Sequence, residues 1–218
     1  MESLKEKLDR IRERIEGGMS AQFLKIMQQA TQELVKSGIG QDLLKVGTEC
    51  PAFQLKDHQG SWQSSESLLE QGPLVLTFYR GFWCPYCNAA LAHLQLYLNE
   101  IESAGARLLA VSPELPVFSR KIINAQKLTF DILFDEKNAL AETFGIRFAL
   151  PKPLKNLYRD NFNINLKLYQ GDEDWTLPVP ARFVVDQQGI IRYAESNIDY
   201  RTRPEPDELI KVLQALTV

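Results

Sequence analysis

The chain has 218 residues, 44% hydrophobic and 24% charged, with a formal net charge of −3. That is ordinary globular composition, long enough for one large domain or a domain with an extension. Such a charge gives no footprint for nucleic acid, and no apolar run approaches the roughly 20 residues that span a bilayer, so neither nucleic acid nor membrane is an expected partner. The start, Met1-Glu2-Ser3-Leu4-Lys5-Glu6-Lys7, is mixed-charge without an apolar leader core, and a cytoplasmic address is expected.

Residues 1–46 are predicted to form a helical N-terminal extension, and residues 47–218 the main domain. Leu4, Leu8, Ile11 and Ile15 place one apolar stripe on a first helix that Gly17-Gly18 ends. Ser20 is placed to cap a second, with Phe23, Met27, Ala30 and Leu34 on one face and Gly38 closing it. These helices suit docking on the domain or a homodimer contact.

From residue 47 the pattern changes. Ala52–Leu55 reads as a short strand, Asp57–Gly60 as a turn, and Ser64 or Ser65 as the start of a short helix to Leu69. A buried strand over 74–80 leads into a helix over about 86–103. A strand over 107–111, a helix over 114–127, a strand over 130–134 and a helix over 137–144 follow. The stretch 148–180 is long for a structureless connection, so it should carry helix or pack near the site. Phe183–Asp186 and Ile190–Tyr193 flank a turn as a β-hairpin, and a helix from Pro206 or Asp207 closes the chain. Strands joined by crossover helices should be parallel and the hairpin antiparallel. The expected fold is thioredoxin-like α/β: a central mixed sheet flanked by helices.

Between the strand over 74–80 and its helix stands Cys84-Pro85-Tyr86-Cys87. The N–H groups and dipole of a helix N-terminus favour thiolate over thiol, and thiolate is the nucleophile in disulfide exchange and peroxide reduction. The second cysteine, one turn on, is close enough to close a disulfide. Cys50, the remaining cysteine, reads as a small apolar filler. Cys50, His58 and His93 lack zinc-finger spacing, so no metal and no cofactor are expected. His58 reads as an exposed turn residue. His93, six residues past Cys87, falls off that cysteine's helix face and reads as a surface imidazole. Asp172-Glu173-Asp174 beside Gly171 reads as an exposed turn.

These segments resemble one family. Val46-Gly47-Thr48-Glu49-Cys50-Pro51-Ala52-Phe53, Phe78-Tyr79 ahead of the cysteines, and Phe183-Val184-Val185-Asp186 with Gly189 and Ile191-Arg192 are similar to motifs of the alkyl hydroperoxide reductase/thiol-specific antioxidant group, the peroxiredoxins. The run Phe78–Cys87, the segment Leu177-Pro178-Val179-Pro180-Ala181 and the stretch Asp199–Pro204 resemble a bacterial subgroup marked by CPYC.

The resemblance implies a thiol-dependent peroxidase that reduces hydrogen peroxide or organic hydroperoxides. It puts Cys87 at the attacking position and makes Cys84 the resolving partner, with thioredoxin, glutaredoxin or glutathione as reductant. It also exposes departures: Arg80, Cys84 and Pro180 stand where the family carries proline, threonine and its site arginine. Replacement donors are then sought in the helix N–H groups and in Arg80, Arg182, Arg147 or Arg203. Val179-Pro180 falls where thioredoxins keep a cis-proline, and Trp83 resembles their Trp-Cys lead-in. A thioredoxin- or glutaredoxin-like exchange enzyme, in which Cys84 attacks and Trp83 shields it, and a non-enzymatic redox sensor stay open as alternatives.

Overall fold

The computed structural model describes residues 2–39 and 43–216. Residues 1, 40–42, 217 and 218, which fall within the expected extension and at the chain's end, lie outside the described residues.

Helix α1 (Leu4–Gly17) opens on a reciprocal cap: Ser3 Oγ accepts from the Glu6 N–H at 3.2 Å, and Glu6 Oε2 accepts from the Ser3 N–H at 2.9 Å. A helix this short is marginal alone. Leu4 and Leu8 are buried, worth about 1.5–3 kcal/mol each, and Ile11 and Ile15 pack on the same cluster. Helix α2 (Ala21–Lys36) is capped by Ser20, whose Oγ accepts from the Phe23 N–H at 3.3 Å.

The rest runs β1 (Gln54–Asp57), β2 (Trp62–Ser64), α3 (Ser65–Leu69), β3 (Leu74–Phe78), α4 (Pro85–Leu96), α5 (Leu98–Ser103), β4 (Arg107–Ser112), α6 (Pro116–Gln126), β5 (Asp131–Phe134), a 3-10 turn (Glu136–Asn138) and α7 (Ala139–Thr143). Then come β6 (Arg147–Ala149), α8 (Lys152–Asn161), α9 (Leu166–Gln170), β7 (Thr176–Pro178), β8 (Ala181–Val185), β9 (Ile191–Ser196) and α10 (Asp207–Leu216).

Among the described residues the main sheet has the order β2-β1-β5-β4-β3-β8-β9, and β6 and β7 pair separately. β3, β4 and β5 are mutually parallel, with β8 antiparallel to β3. This is the expected thioredoxin-like mixed sheet. Alternation splits its side chains between two cores. Val75, Leu108, Ala110 and Val184 join α1, α4 and α10 on one face, while Leu76, Phe78, Leu109 and Phe183 join α3 and α7 on the other. Burial on both faces is why these strands read as continuous apolar runs.

Several expectations change in detail. The helix expected over 86–103 breaks at Tyr97 (φ −99°, ψ 2°), where no glycine or proline signals it. β2 has only three residues, too short to read as alternation. The stretch 148–180 does carry helix, and the Leu115 N–H donates to the Tyr169 carbonyl at 2.9 Å, tying α9 beside β4. His58 is not openly exposed: its imidazole is 12% exposed, with Nδ1 3.7 Å from Asp131.

His93 is the clearest correction. Its side chain is 1% exposed, because α4 is covered by α1 and the segment before α10 as well as by the sheet. Lys7 Nζ lies 3.2 Å from Nδ1 and Glu205 Oε2 lies 3.0 Å from Nε2. A lysine donor on Nδ1 leaves Nε2–H to donate to Glu205, so the ring is neutral. Burial and then Lys7 hold its pKa below the ordinary value, against the pull of Glu205.

The unfolded chain therefore binds a proton at an acidity where the folded one does not. The stability His93 contributes is complete above its unfolded pKa and is lost as pH falls through the folded value. Urea midpoints at pH 7.5 and 5.0 should show a drop that is smaller in His93→Gln than in the wild type. An equal drop in both proteins would contradict this role.

Candidate active site

β3 carries the chain to the carboxyl edge of the sheet, and residues 79–83 turn it into α4. Gly81 sits at φ +151°, and a Cβ there would lie 2.5 Å from both Glu114 Oε1 and Trp83 Nε1, so a side chain has neither the backbone nor the room. Asn88 Nδ2 holds the turn by donating to the Phe82 carbonyl at 2.9 Å. Cys84 is the N-cap of α4 and Pro85 its first residue, where the missing N–H costs nothing. The Cys87 N–H donates to Cys84 Sγ at 3.4 Å. Both cysteines are reduced, and they are 0% and 1% exposed.

The two sulfurs are electrostatically unequal. Burial pushes the Cys84 thiol up, but the Cys87 S–H and N–H hydrogen bonds together with the Arg80 and Arg203 guanidiniums outweigh it, and its pKa falls to about 5. Burial, its hydrogen bond to Cys84 and the charge there push the Cys87 thiol well above its ordinary value. The two shifts run in opposite directions, so Cys84 is the sulfur that the site's charges and hydrogen bonds favour as thiolate.

Arg80 is 4% exposed. It packs flat against aromatic rings, with its guanidinium carbon 3.9 Å from the Tyr200 centroid and 5.0 Å from that of Trp83. One donor reaches Tyr158 Oη at 3.3 Å, while Nε is buried without a partner. Among the described residues no carboxylate lies within ion-pair distance of it. Arg203 is similar: Nη1 donates to the Tyr200 and Thr202 carbonyls, while Nη2 is buried and unpartnered.

The other expected site residues divide. Trp83 lies in the site, edge-on to Tyr158 at 5.6 Å. Arg182 is occupied, donating to Glu195 and to the Pro204 carbonyl, and so steadies the segment that carries Arg203. Arg147 pairs with Glu142 at 2.8 Å just ahead of the insertion over residues 148–180, which carries α8 and α9. Pro180 borders the site, but the expected cis bond is absent: no described peptide bond is cis. The Asn197 N–H donates to the Pro180 carbonyl at 3.2 Å. Cys50 lies by the β8–β9 turn at the opposite edge of the sheet, its N–H bonded to Gly189 O at 2.8 Å; burial and Glu49 push its thiol up to about 12.

Three contributors escape a sequence reading. Glu114 is fully buried just past β4, its Oε2 accepting from the Phe82 N–H at 2.6 Å and its Oε1 unpartnered. Burial, and next to it the negative charge on Cys84, raise its pKa to about 8 against that hydrogen bond. Its one signal was a carboxylate two residues past the largely apolar strand β4, at the edge where the cysteines emerge. Tyr158 reaches Arg80 from α8, where nothing in its spacing marks it, and Tyr200 from the 197–205 segment, where the Asp199–Pro204 resemblance marked the stretch but not the role of this ring.

A cleft of about 320 Å³ and a cavity of about 120 Å³ adjoin the site, and Arg80 and Tyr200 border both.

Comparison with known proteins gives the family. The AhpC/TSA family profile matches residues 46–194. The chain is 24% identical over 170 residues to a chloroplastic peroxiredoxin Q of Populus jackii, covering 78% of this chain and 68% of that one. It is 27% identical over 125 residues to a putative peroxiredoxin, bcp, of Haemophilus influenzae, covering 56% of this chain and 80% of the other. Among solved structures, peroxidoxin BcpB of Mycobacterium tuberculosis superposes with a TM-score of 0.62 at 20% identity, covering 79% of this chain and 98% of that one, a likeness of fold. With the profile spanning more than half of its length, the chain belongs to the AhpC/TSA family, a peroxiredoxin-like member of the thioredoxin superfamily.

Proposed function

We propose that in this thiol-dependent peroxidase Cys84 is the sulfur that meets the hydroperoxide and Cys87 the one that resolves it. The observation that carries the reading is the pair of guanidiniums, Arg80 and Arg203, that face the dithiol with no carboxylate of their own. A pKa lowered to about 5 makes Cys84 predominantly thiolate at pH 7, where an ordinary cysteine is mostly thiol.

The thiolate attacks one peroxide oxygen. The S–O bond forms as the O–O bond breaks, and the departing alkoxide takes a proton to leave as alcohol or water. Unused donors on Arg80 and Arg203 stabilise the charge on that oxygen, work that threonine and another arginine do in the family's motif. Cys87 then attacks the Cys84 sulfenic acid, releasing water and closing the disulfide. A thiol reductant of the thioredoxin, glutaredoxin or glutathione type supplies the two electrons that reopen it. Near-complete burial of both sulfurs favours a small peroxide over a folded protein disulfide as first substrate. We further read residues 1–46 as an extension to this domain and the protein as cytoplasmic; no helix among the described residues is long and apolar enough to cross a membrane.

Single-turnover oxidation separates the two cysteines. Cys84→Ser should lose at least 100-fold in peroxide consumption, whereas Cys87→Ser should be oxidised at near wild-type rate and stop at a sulfenic acid that dimedone traps. Fast oxidation of Cys84→Ser would return the attack to Cys87. Insulin reduction with no peroxide consumption by the wild type would replace peroxidase by disulfide exchange.

Glu114 adds a pH signature. Below about pH 8 its carboxyl is protonated and spares the thiolate a negative neighbour; above that pH the new charge opposes it. The pH profile of wild-type peroxide consumption should show inflections near 5 and near 8, and Glu114→Gln should keep only the lower one. An unchanged upper inflection in that variant would remove Glu114 from the account.

A further inference from the structure

Helix α2 lies outside the span matched by the family profile, yet it walls the larger cleft. Met27, Ala30 and Leu34 project from α2 into it, opposite Phe148 and Leu154 of the insertion. At its buried end stand Arg80 and Tyr200, and Glu33 lies at the exposed mouth.

We infer that this cleft receives the organic body of the hydroperoxide, and that α2 is the specificity element selecting bulky, uncharged, apolar hydroperoxides of aryl or branched-alkyl shape over hydrogen peroxide. The inference rests on the peroxidase reading and adds the substrate's size and charge to it. Size is the first argument. Hydrogen peroxide is little larger than water, whose share of liquid volume is about 30 Å³, so it leaves the roughly 320 Å³ cleft almost empty.

Polarity is the second. The walls are mostly apolar carbon, and Arg80, 4% exposed with Nε unpartnered, is the strong donor at the inner end. A substrate with one polar end and an apolar body lies one way round, its O–O group at Arg80, the cleft residue whose guanidinium also acts on the buried Cys84 sulfur, and its carbon against α2. Charge is the third. Glu33 at the mouth disfavours a carboxylate on the far end of the ligand, which singles out neutral hydroperoxides.

Steady-state competition between cumene hydroperoxide and hydrogen peroxide tests this on the full chain. The wild type should favour cumene hydroperoxide in kcat/KM by tenfold or more. Ala30→Trp, which fills the cleft, should cut that ratio at least tenfold, and Ala30→Leu should cut it less. Gln29→Ala, on the exposed side of the same helix, should leave it within twofold. As a binding measurement free of chemistry, 2-phenylpropan-2-ol should protect α2 amides from hydrogen exchange in Cys84→Ser and not in Cys84→Ser/Ala30→Trp. An active wild type whose ratio Ala30→Trp leaves unmoved, or an α2 that the alcohol does not protect, overturns the inference and leaves the peroxidase reading standing. A wild type that consumes neither peroxide overturns both.

Discussion

A guanidinium buried without a carboxylate is expensive unless something nearby carries negative charge. Around Arg80 that charge belongs to the Cys84 sulfur, and the arrangement works in both directions. Burial weighs against the charge on Arg80, and Tyr158 and the two sulfurs more than restore it. Burial weighs against the Cys84 thiolate, and Arg80, Arg203 and the Cys87 hydrogen bonds more than restore that. Neither ion is well placed alone. Arg80 occupies the family's proline position and Cys84 its threonine position, so the two departures compensate each other: threonine there would leave Arg80 without its nearest anion.

The rest of the molecule keeps this pair dry. Segment 197–205 lays Tyr200 over Arg80 and brings Arg203 to the sulfurs, and it is fastened at three points. Arg201 donates to Glu16 of α1 at 2.6 Å, Arg182 holds the Pro204 carbonyl, and Glu205 meets both His93 and the Lys5 N–H, the latter at 3.1 Å. Two of these fastenings end on α1, outside the family span. The insertion closes another side with Tyr158 against Trp83. Residues far from the cysteines in sequence thereby set the dielectric in which the sulfurs titrate, and a low dielectric is what makes two guanidiniums count for so much.

Periodicity made much of this visible. The stripe of α1, the serine cap of α2, the buried strands and the CPYC helix N-terminus are local signals, and each folds as its pattern dictates. Contacts across elements left no such trace. His93 reads as a surface residue because one helix seen alone shows one buried face, whereas α4 is covered from several directions. Tyr158, Tyr200 and Glu114 arrive at the site from three separate segments. The likeness of Val179-Pro180 to a thioredoxin cis-proline pointed to a cis bond, and among the described residues there is none. Counting along the family motif puts Cys87 at the point of attack; the proposal that Cys84 attacks instead rests on the electrostatics of the folded site, which no count contains.

The central claim is that Cys84 is the thiolate at neutral pH, and thiolate absorbance near 240 nm tests it most directly. Titrated from pH 3 to 9, the reduced wild type should show a step for one sulfur centred near pH 5, Cys87→Ser should keep that step displaced upward by the loss of the Cys87 S–H, and Cys84→Ser should show none in that range. A step near pH 5 that persists in Cys84→Ser and vanishes in Cys87→Ser would contradict the account.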